Sequence, residues 1–491
     1  MSKFIIFGAG NFGKRAIAYY GEENVFCYVD NDSKKEGMTF CNKKVIGFDE
    51  YKSIAQDYIT IIANAHAEEI KSQLLEYGIR NFYCYTPAYE HFLEYIKKKQ
   101  LTENVKNIAL YGLSNDTDQI IEALRTLGID EKISCVIASK YDEKDNSFHY
   151  KKYDKLSECK EFVDCIVIST SCNNVALGAE ANQIMKDCIV VNPYKQIAYY
   201  DTDDLIFNPY LAQTEDKTEV EWNLSIENDS IKKSVREYVN IVSKDVPLFE
   251  YIEIETINKC NGVCTFCPVN KLVDPRPEMK MKEEVFKKII DELADLDYTG
   301  EISLFSNNEP LLDDRVVKFH KYAREKLPKA RIHMFTNGTL FNLELFKELI
   351  PYLDELIIDN YVQNLTLIKP VKEIHDYILE NPDLKRKVTI VLRKRDEILT
   401  SRGGDAPNRK DVPSYEGETC ALPFEQMIIR PDGKVSLCCN DPIGKNTLGD
   451  VSINSLVDVW YGAEYTQIRK LLEMGRENCT HCKFCDTFYL Y

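Results

Sequence analysis

Residues 260–267 read CNGVCTFC, three cysteines in eight positions. Closed thiolate cages for zinc or an iron–sulfur cluster take four ligands, and no histidine lies nearby in sequence to supply the fourth. Three thiolates can instead hold a cubane [4Fe–4S] cluster by three corners and leave one iron without a protein ligand. Such an iron is a binding site rather than a simple electron carrier. The alternative is zinc completed by a remote ligand. The loop also constrains the fold around it. It follows an apolar strand, FEYIEIET (249–256), and precedes a helical stretch, KEEVFKKIIDELADL (282–296). Strand-like GEISLFS, RIHMFTNG, DELIIDN and KVTIVLRK come next, the first three each followed by a helical or polar segment. Repeated βα units predict a partial (β/α) TIM-type barrel with its chemistry in the loops after the strands.

The first half reads as a duplication. KFIIFG (3–8), VFCYVD (25–30) and YITIIAN (58–64) predict parallel strands, and the layout recurs in NIALYG (107–112), KISCVIAS and DCIVIST. These give an α/β class with two Rossmann-like modules, 1–92 and 104–200. An acidic, polar stretch at 201–245 is expected to be linker plus a helix, the barrel to span 246–405, and 406–491 to be a small cysteine-rich iron–sulfur domain. In the first module FGAGNFG places Gly8, Gly10 and Gly13 between a strand and a helix, with Asp30 ending the next strand. That context suits a dinucleotide. VFCYVDNDSKKEG also resembles the modules attached to sugar-modifying enzymes, so a nucleotide or nucleotide-sugar is favoured over NAD. The second module carries YGLSNDT instead and is read as a scaffold without ligand.

Of 17 cysteines, the eight between residues 27 and 188 lie mostly in apolar runs and are read as small buried hydrophobes. The other nine form the clusters at 260–267 and 420–485. A net charge of −17 argues against nucleic acid or an anionic membrane as a partner. The opening MSKFIIFGAGNFG lacks the apolar core of a signal peptide, and no run approaches the length of a membrane span. A cytoplasmic protein is expected.

These motifs together resemble the radical S-adenosylmethionine (SAM) superfamily. Cys260, Cys264 and Cys267 match its cluster loop, with aromatic Phe266 before the third cysteine. Asn307-Asn308-Glu309-Pro310 stands in place of the family's Gly-Gly-Glu-Pro turn, asparagine being tolerant of positive φ. Thr336-Asn337-Gly338 matches the TNG that ends the third strand. The resemblance implies that SAM is the fourth ligand of the cluster and that Glu309 receives its amino group; a plain helix-entry carboxylate is the alternative. Asp359, Asn360, Arg393 and Arg402 stand where relatives hold the SAM ribose and carboxylate, though solvated loop residues often occupy such positions. From CALPFEQMIIRPDGKVSLCC to CTHCKFC the tail resembles the SPASM/twitch extension, which implies one auxiliary [4Fe–4S] cluster on Cys420, Cys438, Cys479 and Cys482. Cys439 and Cys485 are left over, Cys485 able to replace Cys482; His481 and a zinc site remain alternatives.

The resemblance thus implies a 5′-deoxyadenosyl radical enzyme that oxidises or epimerises a sugar or nucleotide-sugar, supplied with electrons by a flavodoxin or ferredoxin. Modification of a peptide, or nucleotide sensing without catalysis, are the competing functions.

Overall fold

The computed structural model describes residues 4–64, 67–85, 92, 96, 105–114, 117–140, 142, 150–170, 173–194, 204–210, 229–409 and 412–488. The chain divides into two units, Met1–Ile197 and Ala198–Tyr491.

In the first unit, β1 (Phe4–Phe7), β2 (Val25–Val29), β3 (Thr39–Phe40), β4 (Lys43–Ile46), β5 (Ile59–Ile62) and β6 (Phe82–Cys84) form one sheet. A second contains β7 (Ile108–Tyr111), β8 (Ile133–Ile137), β9 (Lys151–Tyr153), β10 (Cys165–Ile168) and β11 (Ile189–Val191). The orders are β3-β4-β2-β1-β5-β6 and β11-β10-β7-β8-β9. With the short antiparallel β3 set aside, both sheets are parallel and run third-second-first-fourth-fifth in chain order, the arrangement of half a doubly wound sheet. β4, β6, β9 and β11 escape sequence reading because they are short, and β4 and β9 open on lysines. Val25, Tyr28, Ile108 and Leu110 share one apolar core, so the two sheets pack as one body. Cys27, Cys135, Cys159 and Cys165 are buried, as small hydrophobes would be. Cys172 and the side chain of Cys84 lie outside the described residues.

The second unit is built on β12 (Ile206–Phe207), β13 (Tyr251–Ile254), β14 (Glu301–Ser303), β15 (Arg331–Thr336), β16 (Glu355–Tyr361), β17 (Val388–Arg393), β18 (Gln426–Ile429), β19 (Lys434–Ser436) and β20 (Thr447–Asp450). Their order is β12-β17-β16-β15-β14-β13-β18-β19-β20. β13 to β17 are parallel neighbours in chain order, an open barrel. Helices between them turn one apolar face to the sheet: Phe286, Ile289, Ile290 and Leu293 of Glu283–Asp295 are all buried, at the spacing of one helical stripe.

The edges depart from the expected domain plan. Ile206–Phe207, within the stretch read as linker, pairs with β17, and Asp229–Val242 is a helix. On the other side β18, from the cysteine-rich tail, pairs in parallel with β13. Ile252, Met427, Trp460 and Cys482 belong to one core, and strands on both sides of the expected boundary at 405/406 share one sheet. No helix among the described residues is long and apolar enough to cross a membrane.

Candidate functional site

The cysteine loop follows β13 and is shaped by two asparagines. Asn258 holds both strands of the loop, donating to Pro277 O and accepting from Met279 N, each at 2.8 Å. Asn270 donates its amide to Cys264 O at 3.1 Å and Cys267 O at 2.7 Å. Gly262 separates two thiols: a Cβ there would lie 3.3 Å from Cys260 Sγ. Burial pushes the Cys260 and Cys264 thiols up to about 12 and raises Cys267, the last opposed by Arg402 and Arg276.

Tetrahedral zinc places its thiolates about 3.8 Å apart, given Zn–S bonds of about 2.3 Å. Among the described residues, no three thiols of either cysteine cluster lie within 4.8 Å of one another. Three thiols on one loop, with no fourth protein ligand beside them among the described residues, suit a cubane, whose sulfur ligands attach to different irons.

Glu309 follows β14 and is buried. Its carboxylate accepts from Thr336 Oγ1 at 2.6 Å, Asn337 N at 2.8 Å and Leu311 N at 3.1 Å. The last bond caps the turn Pro310–Leu312, so the helix-entry contact is present. Burial still pushes the carboxyl up to about 7 despite these donors. Asn337 also donates to Asn261 Oδ1 at 2.8 Å, tying the third strand to the cysteine loop. Neither Asn307 nor Asn308 adopts positive φ, so the glycines of the related turn are not required here. Asn308 Oδ1 accepts from Ser306 N at 2.9 Å, whereas its amide nitrogen is buried with no hydrogen-bond partner. That orphaned donor beside Glu309 fits a polar ligand such as the amino-carboxylate end of SAM.

The remaining expected residues separate into groups. Phe266 packs on Tyr361, ring centroids 5.8 Å apart. Asp359 accepts from Arg393 Nε at 3.2 Å, and Arg393 reaches Glu397 at 3.3 Å. Burial nonetheless raises the Asp359 carboxyl. Asn360 is spent on its own loop, bonding Thr366 O and Ile368 N. Arg402 leaves this group for the other side of the barrel mouth. Its Nη1 donates to Cys439 O at 3.2 Å and Asn307 Oδ1 at 3.4 Å, and Asn307 Nδ2 donates to the same carbonyl at 3.1 Å. The carbonyl of Cys439 is therefore clamped to the turn that carries Glu309.

Several side chains of this site escaped sequence reading. Glu253, Ser303, His333 and Gln426 line a polar cavity in the barrel with Tyr251 and Glu301. Register places Glu253, Ser303 and His333 side by side on three neighbouring strands. Alternation along FEYIEIET was the available signal, since Glu253 and Glu255 fall on one face. Gln426 Nε2 donates to Glu253 Oε1 at 2.8 Å, and burial raises the Glu253 carboxyl. Glu255 is pushed up to about 8; burial outweighs Arg276, which sits 3.5 Å away.

In the tail, Cys420, Cys438, Cys479, Cys482 and Cys485 are all buried, and Cys439 is half-buried. Cys479 and Cys482 have their sulfurs 3.1 Å apart. Cys420, Cys438 and Cys485 influence one another electrostatically, and Cys482 is influenced by Cys420 and Cys438. Cys485 thus joins the four thiols expected from the sequence. Arg476, which sequence reading passed over, staples the group by donating to Thr419 O, Cys485 O and Thr487 O at 2.6–2.8 Å. His481 Nε2 bonds Asn440 O at 2.9 Å.

The glycine loops of the first unit differ in detail. Gly8 has φ +125°, and a Cβ on Gly13 would collide with Gly8 O, so both require glycine. Nothing lies within 4 Å of a Cβ on Gly10. Asp30 accepts from Ala9 N at 2.8 Å and pairs with Lys35 at 2.9 Å. In the second module Asp142 accepts from Leu113 N at 2.9 Å and Thr117 Oγ1 accepts from Ser114 N at 3.0 Å, filling the loop with the protein's own acceptors.

Known proteins match this arrangement. Residues 254–366 match the radical SAM superfamily, 420–486 an iron–sulfur cluster-binding (SPASM) domain, and 1–82 a family described as C2185-like, N-terminal. The chain is 29% identical over 242 residues to the S-adenosyl-L-methionine-dependent 2-deoxy-scyllo-inosamine dehydrogenase of Niallia circulans, covering 49% of this chain and 93% of that one. Among solved structures, BtrN in complex with AdoMet and 2-DOIA has 26% identity and a TM-score of 0.43, covering 50% of this chain and 98% of BtrN. SuiB of Streptococcus suis bound to S-adenosylmethionine has 15% identity and a TM-score of 0.34, covering 52% of this chain and 77% of SuiB. The cysteine loop and the two family matches lead to one conclusion: the chain carries a radical SAM domain followed by a SPASM-type iron–sulfur domain, with a SAM-binding cluster and auxiliary iron–sulfur chemistry.

Proposed function

We propose that this radical SAM enzyme oxidises a hydroxyl-bearing carbon of a sugar-like ring that also carries an amino group. With the cluster and SAM bound at Cys260, Cys264 and Cys267, the centre supplies a 5′-deoxyadenosyl radical that takes a hydrogen atom from the substrate. Glu309, the Asn308 amide and the Asp359–Arg393 pair surround the position assigned to SAM. The observation that carries the substrate class is Glu253. It is a half-buried carboxylate lining the barrel cavity, bonded to the neutral Gln426 and Ser306, and only the charges of His333 and Arg402 nearby offset its own. Burying a carboxylate is costly unless a cation or donors compensate, and an ammonium entering the barrel would provide both. The dehydrogenase of N. circulans, named for an amino-substituted substrate, supports the same class. At the N-terminal loop the reading remains a nucleotide or nucleotide-sugar rather than NAD, because Asp30 is already engaged by Ala9 N and Lys35.

The direct test is 5′-deoxyadenosine formation by anaerobically reconstituted protein over a panel of aminocyclitols, amino sugars, their deaminated counterparts and peptides. The amino compounds should raise the yield above background and be recovered as ketones. Stimulation by peptides alone would overturn the substrate class.

Epimerisation is the second reading, and Cys439 favours it. Its thiol is kept protonated by burial, with Glu253 the strongest electrostatic influence on it. Such a thiol could return a hydrogen atom to a substrate carbon, and deuterium from solvent at that carbon, in place of a ketone, would identify this outcome.

A further inference from the structure

β12 belongs to the stretch expected to be linker, and it lies outside the residues matched by the radical SAM and SPASM families. Ile206 and Phe207 pair in parallel with Ile390 and Val391 of β17, and Leu205 O accepts from Ile390 N at 2.8 Å. The chain therefore leaves β12 at the same end of the sheet as it leaves β17 at Arg393, where a barrel of this kind keeps its chemistry. Asn208 turns it there, its Oδ1 accepting from Tyr210 N at 3.0 Å. The Tyr210 hydroxyl donates to Glu397 Oε1 and accepts from Lys394 N at 2.9 Å. Glu397 is 6% exposed, and its two oxygens are divided: Oε1 also accepts from Lys394 N at 3.0 Å, while Oε2 faces Arg393 Nη1 at 3.3 Å. Arg393 Nε in turn reaches Asp359 Oδ1 at 3.2 Å. Burial raises the Glu309 carboxyl and the Cys264 thiol, and the Asp359 charge adds to both shifts. This line of four side chains therefore ends between the Glu309 turn and the cluster loop.

We infer that Tyr210 is a positioning residue for the SAM site, acting through Glu397 and Arg393 on Asp359. The inference rests on the placing of SAM beside Glu309 and Asp359 proposed above. An arginine has many rotamers, and holding one of them costs conformational entropy. Set between two carboxylates, Arg393 keeps one geometry only if the outer carboxylate is itself fixed. Tyr210 fixes it, seated by the Asn208 turn and with Lys394 Nζ 4.8 Å from its ring centroid. Among the described residues Asp359 is engaged through Oδ1 alone, so its Oδ2 remains available to hydroxyl or amino donors of SAM. Without the tyrosine hydroxyl, Glu397 Oε1 loses a donor, and Arg393 can swing to take both Asp359 oxygens side-on. A residue that precedes the barrel in the chain thus sets the affinity of the barrel for its cosubstrate.

The experiment uses the reconstituted full chain. SAM affinity is read from the change that SAM produces in the electron paramagnetic resonance spectrum of the reduced cluster, alongside KM and kcat for 5′-deoxyadenosine. Tyr210→Phe should weaken SAM binding about fivefold and raise KM by a similar factor, with kcat within about twofold of the parent. Glu397→Gln should act in the same direction, and the double variant should bind no more weakly than the weaker single one, because the two side chains act in one line. Asn208→Ala, which releases the turn, should lower affinity by a smaller factor. Asp359→Asn tests the placing of SAM by itself. Weakened binding in Asp359→Asn with parental binding in folded Tyr210→Phe would overturn the role of Tyr210 alone. Parental binding in Asp359→Asn would overturn the placing of SAM and the inference with it. Effects of Tyr210→Phe and Glu397→Gln that simply add would show two independent losses and overturn the line of action. Iron content and Tm establish that each variant is folded, and Glu397→Gln with Asn208→Ala carries the test if Tyr210→Phe is not.

Discussion

The loop at 260–267 offers three thiols, and the polar groups around it, Glu309 and the orphaned Asn308 amide, belong to no thiolate cage. The tail offers five buried thiols, stapled by an arginine that donates to three backbone carbonyls. The difference lies in what completes them. The first leaves ligand-binding groups facing the barrel mouth; the second has thiols in excess. One is organised to admit a small molecule and the other to enclose its metal.

The sharpest way to break this comparison is to remove one thiol from each set. Cys264→Ala should abolish 5′-deoxyadenosine formation and lower bound iron by the content of one cluster, measured by product assay and iron analysis. Cys420→Ala should lower iron to a similar extent yet retain SAM cleavage, now uncoupled from ketone formation. Loss of SAM cleavage in a folded Cys420→Ala protein would mean that the two sets are not functionally separable. A smaller effect is expected at the cavity between them. Glu253→Gln should reduce kcat/KM for amino-substituted substrates by about 30-fold through loss of a buried charge partner, with little change for deaminated analogues. Asn307→Gly removes the amide that ties the tail peptide to the Glu309 turn and should cost about 1 kcal/mol in chemical denaturation.

A different kind of effect concerns pH. Burial pushes the Glu255 carboxyl up to about 8 in the folded protein from an ordinary value of 4.5. Between those values the folded chain keeps a proton that the unfolded chain releases, so stability falls as pH rises through this window. Glu255→Gln should remove that contribution, and Tm measured from pH 5 to 8 should decline less steeply than in the parent.

Much of this was legible without coordinates where the information is local. Cys260, Cys264 and Cys267 announce their chemistry by spacing, because a loop of eight residues can converge on one cluster wherever the barrel places it. The glycines at 8 and 13 announce a tight strand-to-helix turn for the same reason. Short edge strands such as Lys151–Tyr153 were not legible, since three residues with two lysines carry no periodic signal. Glu253 was half legible: alternation gave its face, but nothing in sequence told whether that face met solvent, helix or cavity. The choice among tail cysteines was illegible, because Cys485 joins the group through folding back of the chain rather than through its distance from Cys438.

Chain-local features, then, came from the sequence alone: the open three-thiol loop, the βα alternation, the glycine turns and the acidic balance. Each depends on residues close enough in the chain to constrain one another directly. Tertiary structure alone decided that β18 extends the barrel sheet, that Arg402 and Asn307 clamp the carbonyl of Cys439, and that Glu253 lies in the cavity beside His333. Those outcomes depend on strand register and on burial, which bring together groups more than a hundred residues apart and set the cost of each charge left without a partner.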